Sequence, residues 1–344
     1  MSRERIASVN VGAEAPVVLV GKEKKLAGAT ALIFGGQGSI EVGMGKELLE
    51  SPDVQEFYKR VRKISGIPID EITFLGPSKK LFSDQKITQL AVFALNHAYY
   101  IELRKKLERE PDFYAGNSLG RINALLAAGA LEEDDAIRLV IARGRAMQKA
   151  CRKNPGSLFA LTMPEGRDGI KFQDIESLAS DFREKGIYIE AVNSDSQIVV
   201  GCLKEKVDET LEWLKQYENI KVTPVKSAGI YHSIFMQPAV PELQKGLKKV
   251  KIKKPTRPVI DDLTGEPMID PEEIRESLLR HLTNAVNWKA VVEFLEGEGV
   301  LDIVEPGSRG TLSRMMKHKR RIALVLFAGG TLAYIMSRRR KTAQ

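Results

Sequence analysis

Cysteine is scarce in this chain. Its 344 residues include only Cys151 and Cys202, too few for a disulfide framework, so a reducing, cytoplasmic setting is expected. Histidine is nearly as rare, limited to His97, His232, His281 and His318, and neither residue type shows metal-ligand spacing. Acidic residues run out at Glu305. Beyond it stand Arg309, Arg314, Lys317, Lys319, Arg320, Arg321, Arg338, Arg339, Arg340 and Lys341. Residues 1–305 therefore carry a net charge of −2, and the overall +8 belongs to the C-terminal end. That placement, with no nucleic-acid-binding motif in the body, excludes nucleic acid as the partner.

Apolar runs of membrane-spanning length are also missing. Ile322 to Met336 is fifteen residues long, roughly 22 Å as a helix against a ~30 Å hydrocarbon core. The expectation is a buried strand, Ile322 to Phe327, then a Gly-Gly break and a short helix. Contact of this basic-flanked tail with an anionic membrane is the lesser reading. No signal peptide is expected either, since Lys22, Lys24 and Lys25 follow the short run Val17 to Val20. What remains is ordinary for a folded protein, with 43% hydrophobic and 28% charged residues, enough to bury a sizeable core.

Along the chain, Ala31 to Phe34 reads as a buried strand entering the turn Gly35 to Ser39. Helical periodicity covers 44–64 and 88–109; in the second, Ala91, Ala94, Leu95, Ala98 and Tyr99 share a face. Asp112 to Gly116 is a short strand, and Asn117 to Gly120 opens another apolar helix. Strand, glycine turn and helix in that order is an α/β pattern. From Gly156 to Ser227 the rhythm becomes strand 158–162, helix 175–185, strands 187–192 and 197–202, helix 206–217 and strand 220–225. This βαββαβ order is ferredoxin-like. The predicted fold is an α/β-hydrolase-like core (29–154 and 228–316) with an inserted ferredoxin-like subdomain (155–227). An N-terminal extension (1–28) and a basic, apolar tail (317–344) flank it.

The sharpest chemical signal is Gly116-Asn117-Ser118-Leu119-Gly120. In a G-x-S-x-G elbow the glycines let a strand turn abruptly into a helix, which leaves the serine exposed as a nucleophile. The helix start then offers backbone N–H groups to a developing oxyanion. A serine needs a base. His318 sits among like charges, and His97 falls inside a helix, where a packed or surface histidine is the simpler reading. His232 follows the last strand of the inserted unit, at a hinge where a cleft would lie, and His281 is the remaining competitor. Sequence order alone does not choose between these two.

Six motifs then occur in one order: Gly36-Gln37-Gly38-Ser39, the Ser118 elbow, Arg143 to Gln148, Asn193 to Gly201, Tyr231-His232-Ser233 and Glu305-Pro306-Gly307. Together, from about Leu32 to about Leu312, they resemble the malonyl-CoA:acyl carrier protein transacylases, including acyltransferases of polyketide synthesis. The resemblance implies ping-pong transfer in fatty-acid or polyketide synthesis. Ser118 would attack the thioester of malonyl-CoA or a related acyl-CoA with His232 as base, and the phosphopantetheine thiol of an acyl carrier protein would collect the acyl group. It implies an oxyanion hole from the backbone of Gln37 and Leu119, and a carboxylate clamp at Arg143, whose planar fork suits that group. Asn193, Tyr231, Asn117 and His281 are placed with the substrate-contacting residues. A bulky Tyr231 favours malonyl over branched relatives by only ~1–3 kcal/mol. The acyl-CoA is a substrate, and no cofactor or metal is expected.

Departures from the family pattern cluster at the pocket. Asn117 stands where His is usual, Arg121 where Glu is usual, His281 where Gln is usual and Ile40 where Gln is usual. The alternatives are an acyl-carrier thioester hydrolase of the same fold and a catalytically inactive carrier-binding relative. Retained Arg143 argues for transfer.

Overall fold

The computed structural model describes residues 28–82, 84–163, 175–217, 220–225, 227, 229–307, 310–313, 321–328 and 331–337. His318 and nearly all of the C-terminal basic residues lie outside them. The chain begins with β1 (Ala29–Phe34), then α1 (Pro52–Ser65), α2 (Ile69–Leu75), α3 (Ser78–Phe82) and α4 (Gln85–Arg104). β2 (Phe113–Gly116) leads into α5 (Gly120–Ala127) and α6 (Glu133–Lys153). The inserted unit runs β3 (Gly156–Thr162), α7 (Ile175–Glu184), β4 (Ile187–Ser194), β5 (Gln197–Leu203), α8 (Val207–Leu214) and β6 (Lys221–Val225). The return comprises α9 (Val240–Leu247), β7 (Val259–Ile260), β8 (Pro267–Met268), α10 (Pro271–Arg280), β9 (Val286–Asn287) and α11 (Trp288–Gly297). β10 (Val300–Pro306), β11 (Arg321–Ala328) and β12 (Thr331–Ser337) finish it.

Among the described residues these strands make two sheets. The larger has the order β12-β11-β10-β1-β2-β7-β8, and β1 runs parallel to both β10 and β2. Side chains alternate across a strand, so β1 can feed two cores at once. Leu32 and Phe34 pack with α4, α5 and α6, while Ala31 and Ile33 pack with Trp288, Val291 and Leu295 of α11. The apolar run that reads as a buried strand is buried on both faces.

The smaller sheet, β6-β3-β5-β4-β9, has the ferredoxin-like arrangement in its first four members. Its fifth strand comes from the main body: Val286 and Asn287 pair in parallel with Ala191 and Val192. That stitch ties the inserted unit to the segment just after His281.

Two expectations need correction. The helix expected over 44–64 is broken: a 3-10 turn covers Lys46–Glu50, Ser51 is extended, and α1 starts at Pro52. Proline disfavours helical geometry in the residue before it, yet suits the first helical position. The short helix expected after Gly330 is instead β12, antiparallel to β11 from Ala328↔Thr331 to Ile322↔Ser337. Seven residues containing Thr331, Tyr334 and Ile335 are strand formers and too few to hold a helix alone. Because β11 pairs with β10 and β12 with β11, these two strands extend the main sheet. No helix among the described residues is long and apolar enough to cross a membrane.

Candidate active site

The elbow is built by close backbone approach. A Cβ on Gly116 would fall 2.1 Å from the Gly120 carbonyl carbon, and one on Gly120 would fall 2.1 Å from the Phe34 carbonyl oxygen. Only glycine fits either place. Between them Ser118 takes a left-handed backbone, φ 52°. His232 is the only other non-glycine at positive φ among the described residues, φ 49°. Such conformations persist only where the surroundings over-determine them.

These two residues meet. Ser118 Oγ lies 2.8 Å from His232 Nε2, and His232 Nδ1 lies 2.8 Å from the His281 carbonyl oxygen. A carbonyl can only accept, so Nδ1 carries the proton and Nε2 is left to accept the Ser118 hydroxyl. His232 is buried, and burial, with His281 and Arg143 nearby, holds its proton affinity well below that of an ordinary imidazole. It is neutral at neutral pH, the state a general base needs. Of the two histidines it is His232 that reaches the Ser118 hydroxyl, while His281 supplies a backbone carbonyl to it, with its ring edge-on to His232 at 4.6 Å.

Arg143 comes from α6. One guanidinium nitrogen donates to Gln89 Oε1 at 2.7 Å, and another reaches Ser118 Oγ at 3.3 Å. The close helix approach that permits this is set by Gly144, where a Cβ would meet the Lys86 Cα at 2.6 Å. Burial pushes the Arg143 pKa down to about 10, which leaves the side chain charged at neutral pH. Tyr231 is buried beside His232 and accepts from Gln85 Nε2 at 2.8 Å.

Gln37 opens the 3-10 turn after β1, and Leu119 occupies the N-cap of α5. Asn117 sits against that turn: its carbonyl oxygen is 2.8 Å, and its Oδ1 3.2 Å, from where a Gly36 Cβ would be. Ile40 is buried in the core beneath it. Asn193 donates to Gln197 Oε1 at 2.9 Å across the β4–β5 turn. His97 is a packed helical histidine bonded to Glu133 Oε1 at 3.1 Å.

Sequence reasoning missed Gln85 and Gln89, and also the acids that surround Arg121. Arg121 is 1% exposed, bonded to Asp261 and 2.6 Å from Asp262 Oδ1. Ser277 donates to Asp261 Oδ2 at 2.6 Å. Arg121 among Ile122, Ala124 and Leu125 was the available signal, because a buried cation requires a counter-charge.

A serine held on a strand-to-helix elbow, a neutral histidine on its hydroxyl and a buried cation beside both define a serine-dependent acyl-transfer site on an α/β scaffold. Residues 31–305 match the family described as acyl transferase domain, and the chain belongs to it. It is 31% identical over 291 residues to the malonyl CoA-acyl carrier protein transacylase of Haemophilus influenzae, covering 83% of this chain and 91% of that protein. An acyl carrier protein S-malonyltransferase structure from Vibrio cholerae is similar with TM-score 0.75 and 28% identity, over 84% of this chain and 92% of that one. A malonyl-transacylase in complex with its type II polyketide synthase acyl-carrier protein is similar with TM-score 0.79 and 27% identity, over 86% and 96%.

Proposed function

We propose that this protein moves a malonyl group from coenzyme A to the phosphopantetheine thiol of an acyl carrier protein, in fatty-acid or polyketide synthesis. The observation that carries the reading is the convergence on Ser118 Oγ of His232 Nε2 at 2.8 Å and the Arg143 guanidinium at 3.3 Å. His232 takes the hydroxyl proton as Oγ adds to the thioester carbonyl. The collapsing intermediate expels the coenzyme A thiolate, which receives that proton, and acyl-serine remains. The carrier thiol repeats the cycle in reverse: it gives its proton to His232, attacks the ester and releases Ser118.

The oxyanion falls to the N–H groups of Gln37 and Leu119. Ser118's own N–H is excluded from that role, since it donates to Asp262 Oδ2 at 2.7 Å. Arg143 pairs with the free carboxylate of the acyl group, a charge-assisted contact that a plain acyl chain could not make. We read the setting as cytoplasmic, supported by the two free, buried thiols Cys151 and Cys202. The two-sheet arrangement supports a core and an inserted subdomain divided near 154 and 228.

Incubation with malonyl-CoA and intact-mass measurement tests the reading. A malonyl adduct that vanishes in Ser118→Ala and passes to added carrier protein is expected. Release of free malonate with no carrier labelling would replace transfer by hydrolysis.

A further inference from the structure

Four hydrogen bonds close a circuit through the site. The Ser118 N–H donates to Asp262 Oδ2 at 2.7 Å, and the same oxygen lies 3.2 Å from His281 Nε2. The His281 carbonyl accepts from His232 Nδ1, and His232 Nε2 accepts from Ser118 Oγ, each at 2.8 Å. We propose that Asp262 is the positioning residue of this site: its one carboxylate fixes the backbone of the nucleophile and, through His281, the carbonyl that aims the base.

Each link is specific. The Asp262 oxygen accepts, so His281 carries its proton on Nε2, and the ring is pinned while its carbonyl faces His232. Asp262 is 0% exposed, and its own carbonyl accepts from the Asn287 N–H at 2.6 Å, where β9 joins the smaller sheet. Arg121 holds the second carboxylate oxygen, which leaves Oδ2 for the circuit. Both reacting residues have left-handed backbones, so each needs an external hold on its main chain. Arg121, where the family usually has an acid, is thereby the counter-charge that lets a carboxylate occupy this place.

This proposal rests on the reading of Ser118 and His232 as nucleophile and base, so its test needs a probe that dispenses with the malonyl substrate. A fluorophosphonate, which phosphonylates the serine with loss of fluoride, reports on Ser118 and His232 alone. The groups facing His232 are Arg143, His281 and Asp262, and of these Asp262 favours its protonated form.

Labelling in Asp262→Ala is expected to slow about 100-fold, the scale of a misplaced reacting group. In Asp262→Asn, which keeps one acceptor but loses the charge, labelling slows about tenfold and the acid midpoint of the pH–rate profile moves to lower pH. A merely structural role would lower melting temperature without moving that midpoint. Labelling of Asp262→Ala at the parent rate would overturn the proposal. Should Asp262→Ala fail to fold, an unchanged rate and midpoint in Asp262→Asn would overturn it equally. A parent that is not labelled would remove the nucleophile reading, and this proposal with it.

Discussion

The loop that carries His232 is flanked by two buried acid sites that solve the same problem differently. On the core side Asp261 and Asp262 share Arg121, a network under 5% exposed throughout. On the side of the smaller sheet Glu190 of β4, 2% exposed, meets the Ser233 side chain and the Tyr231 backbone. Among the described residues it has no cation. A buried carboxyl either pairs with a positive charge or keeps its proton. Burial alone pushes Glu190 well above the usual carboxylate range. At Asp262 burial again dominates and keeps the carboxyl above its ordinary value, but here Arg121 and the Ser118 N–H pull the other way. The loop 230–233 thus sits between an ionic wall and a neutral one, and only the ionic wall reaches Ser118.

The most damaging way to break this contrast is to remove the counter-charge. Arg121→Met should lose about 3–5 kcal/mol of stability in urea unfolding, because Asp261 and Asp262 would face each other uncompensated in the core. A loss below about 1 kcal/mol would show that the acids do not depend on Arg121. The next largest effect compares two glycines. Gly120→Ala drives a Cβ onto the Phe34 carbonyl oxygen at 2.1 Å, against rigid β1 backbone. Gly201→Ala meets the side-chain ends of Ile230 and Leu158 at 2.9 Å and Glu190 Cδ at 3.2 Å, groups able to shift. Thermal melts should show about 3 kcal/mol lost in the first and about 1 in the second. Equal losses would mean that the two flanks are equally unyielding.

Much of the scaffold was legible because its signals are local. The run Ala31 to Phe34, the glycines of the elbow and the strand–helix order of 156–225 each record a geometric demand in a few adjacent residues. The candidate pair was legible in part: Ser118 announces itself, whereas the pairing with His232 and not His281 rests on contacts that only the fold brings about. Asp262 left almost no trace. It follows β7, two residues long and too short for periodicity, and an acid in sequence looks the same whether solvated or buried. Gln85 and Gln89 acquire their partners only when the chain folds, Gln89 from Arg143 of α6 and Gln85 from Tyr231. Asn193 was legible only as part of a motif, and its bond to Gln197 within the hairpin appears only in the fold.

The smallest expected effect sharpens the neutral flank. Glu190→Gln copies a protonated carboxyl, so near pH 5 it should alter stability by about 1 kcal/mol or less, the worth of one adjusted hydrogen bond. The difference must then change with pH. In the unfolded chain Glu190 loses its proton near 4.5, while in the folded protein burial retains it to a much higher pH. Above about pH 4.5 the unfolded state therefore binds fewer protons, and parent stability falls as pH rises toward the folded value. Gln has no proton to lose, so the variant should gain on the parent steadily from pH 5 to pH 8 in paired thermal melts. Parallel melting curves across that range would mean that Glu190 is ionised in the folded state. A cation would then have to serve this flank as Arg121 serves the other, and the contrast between the two walls would be lost.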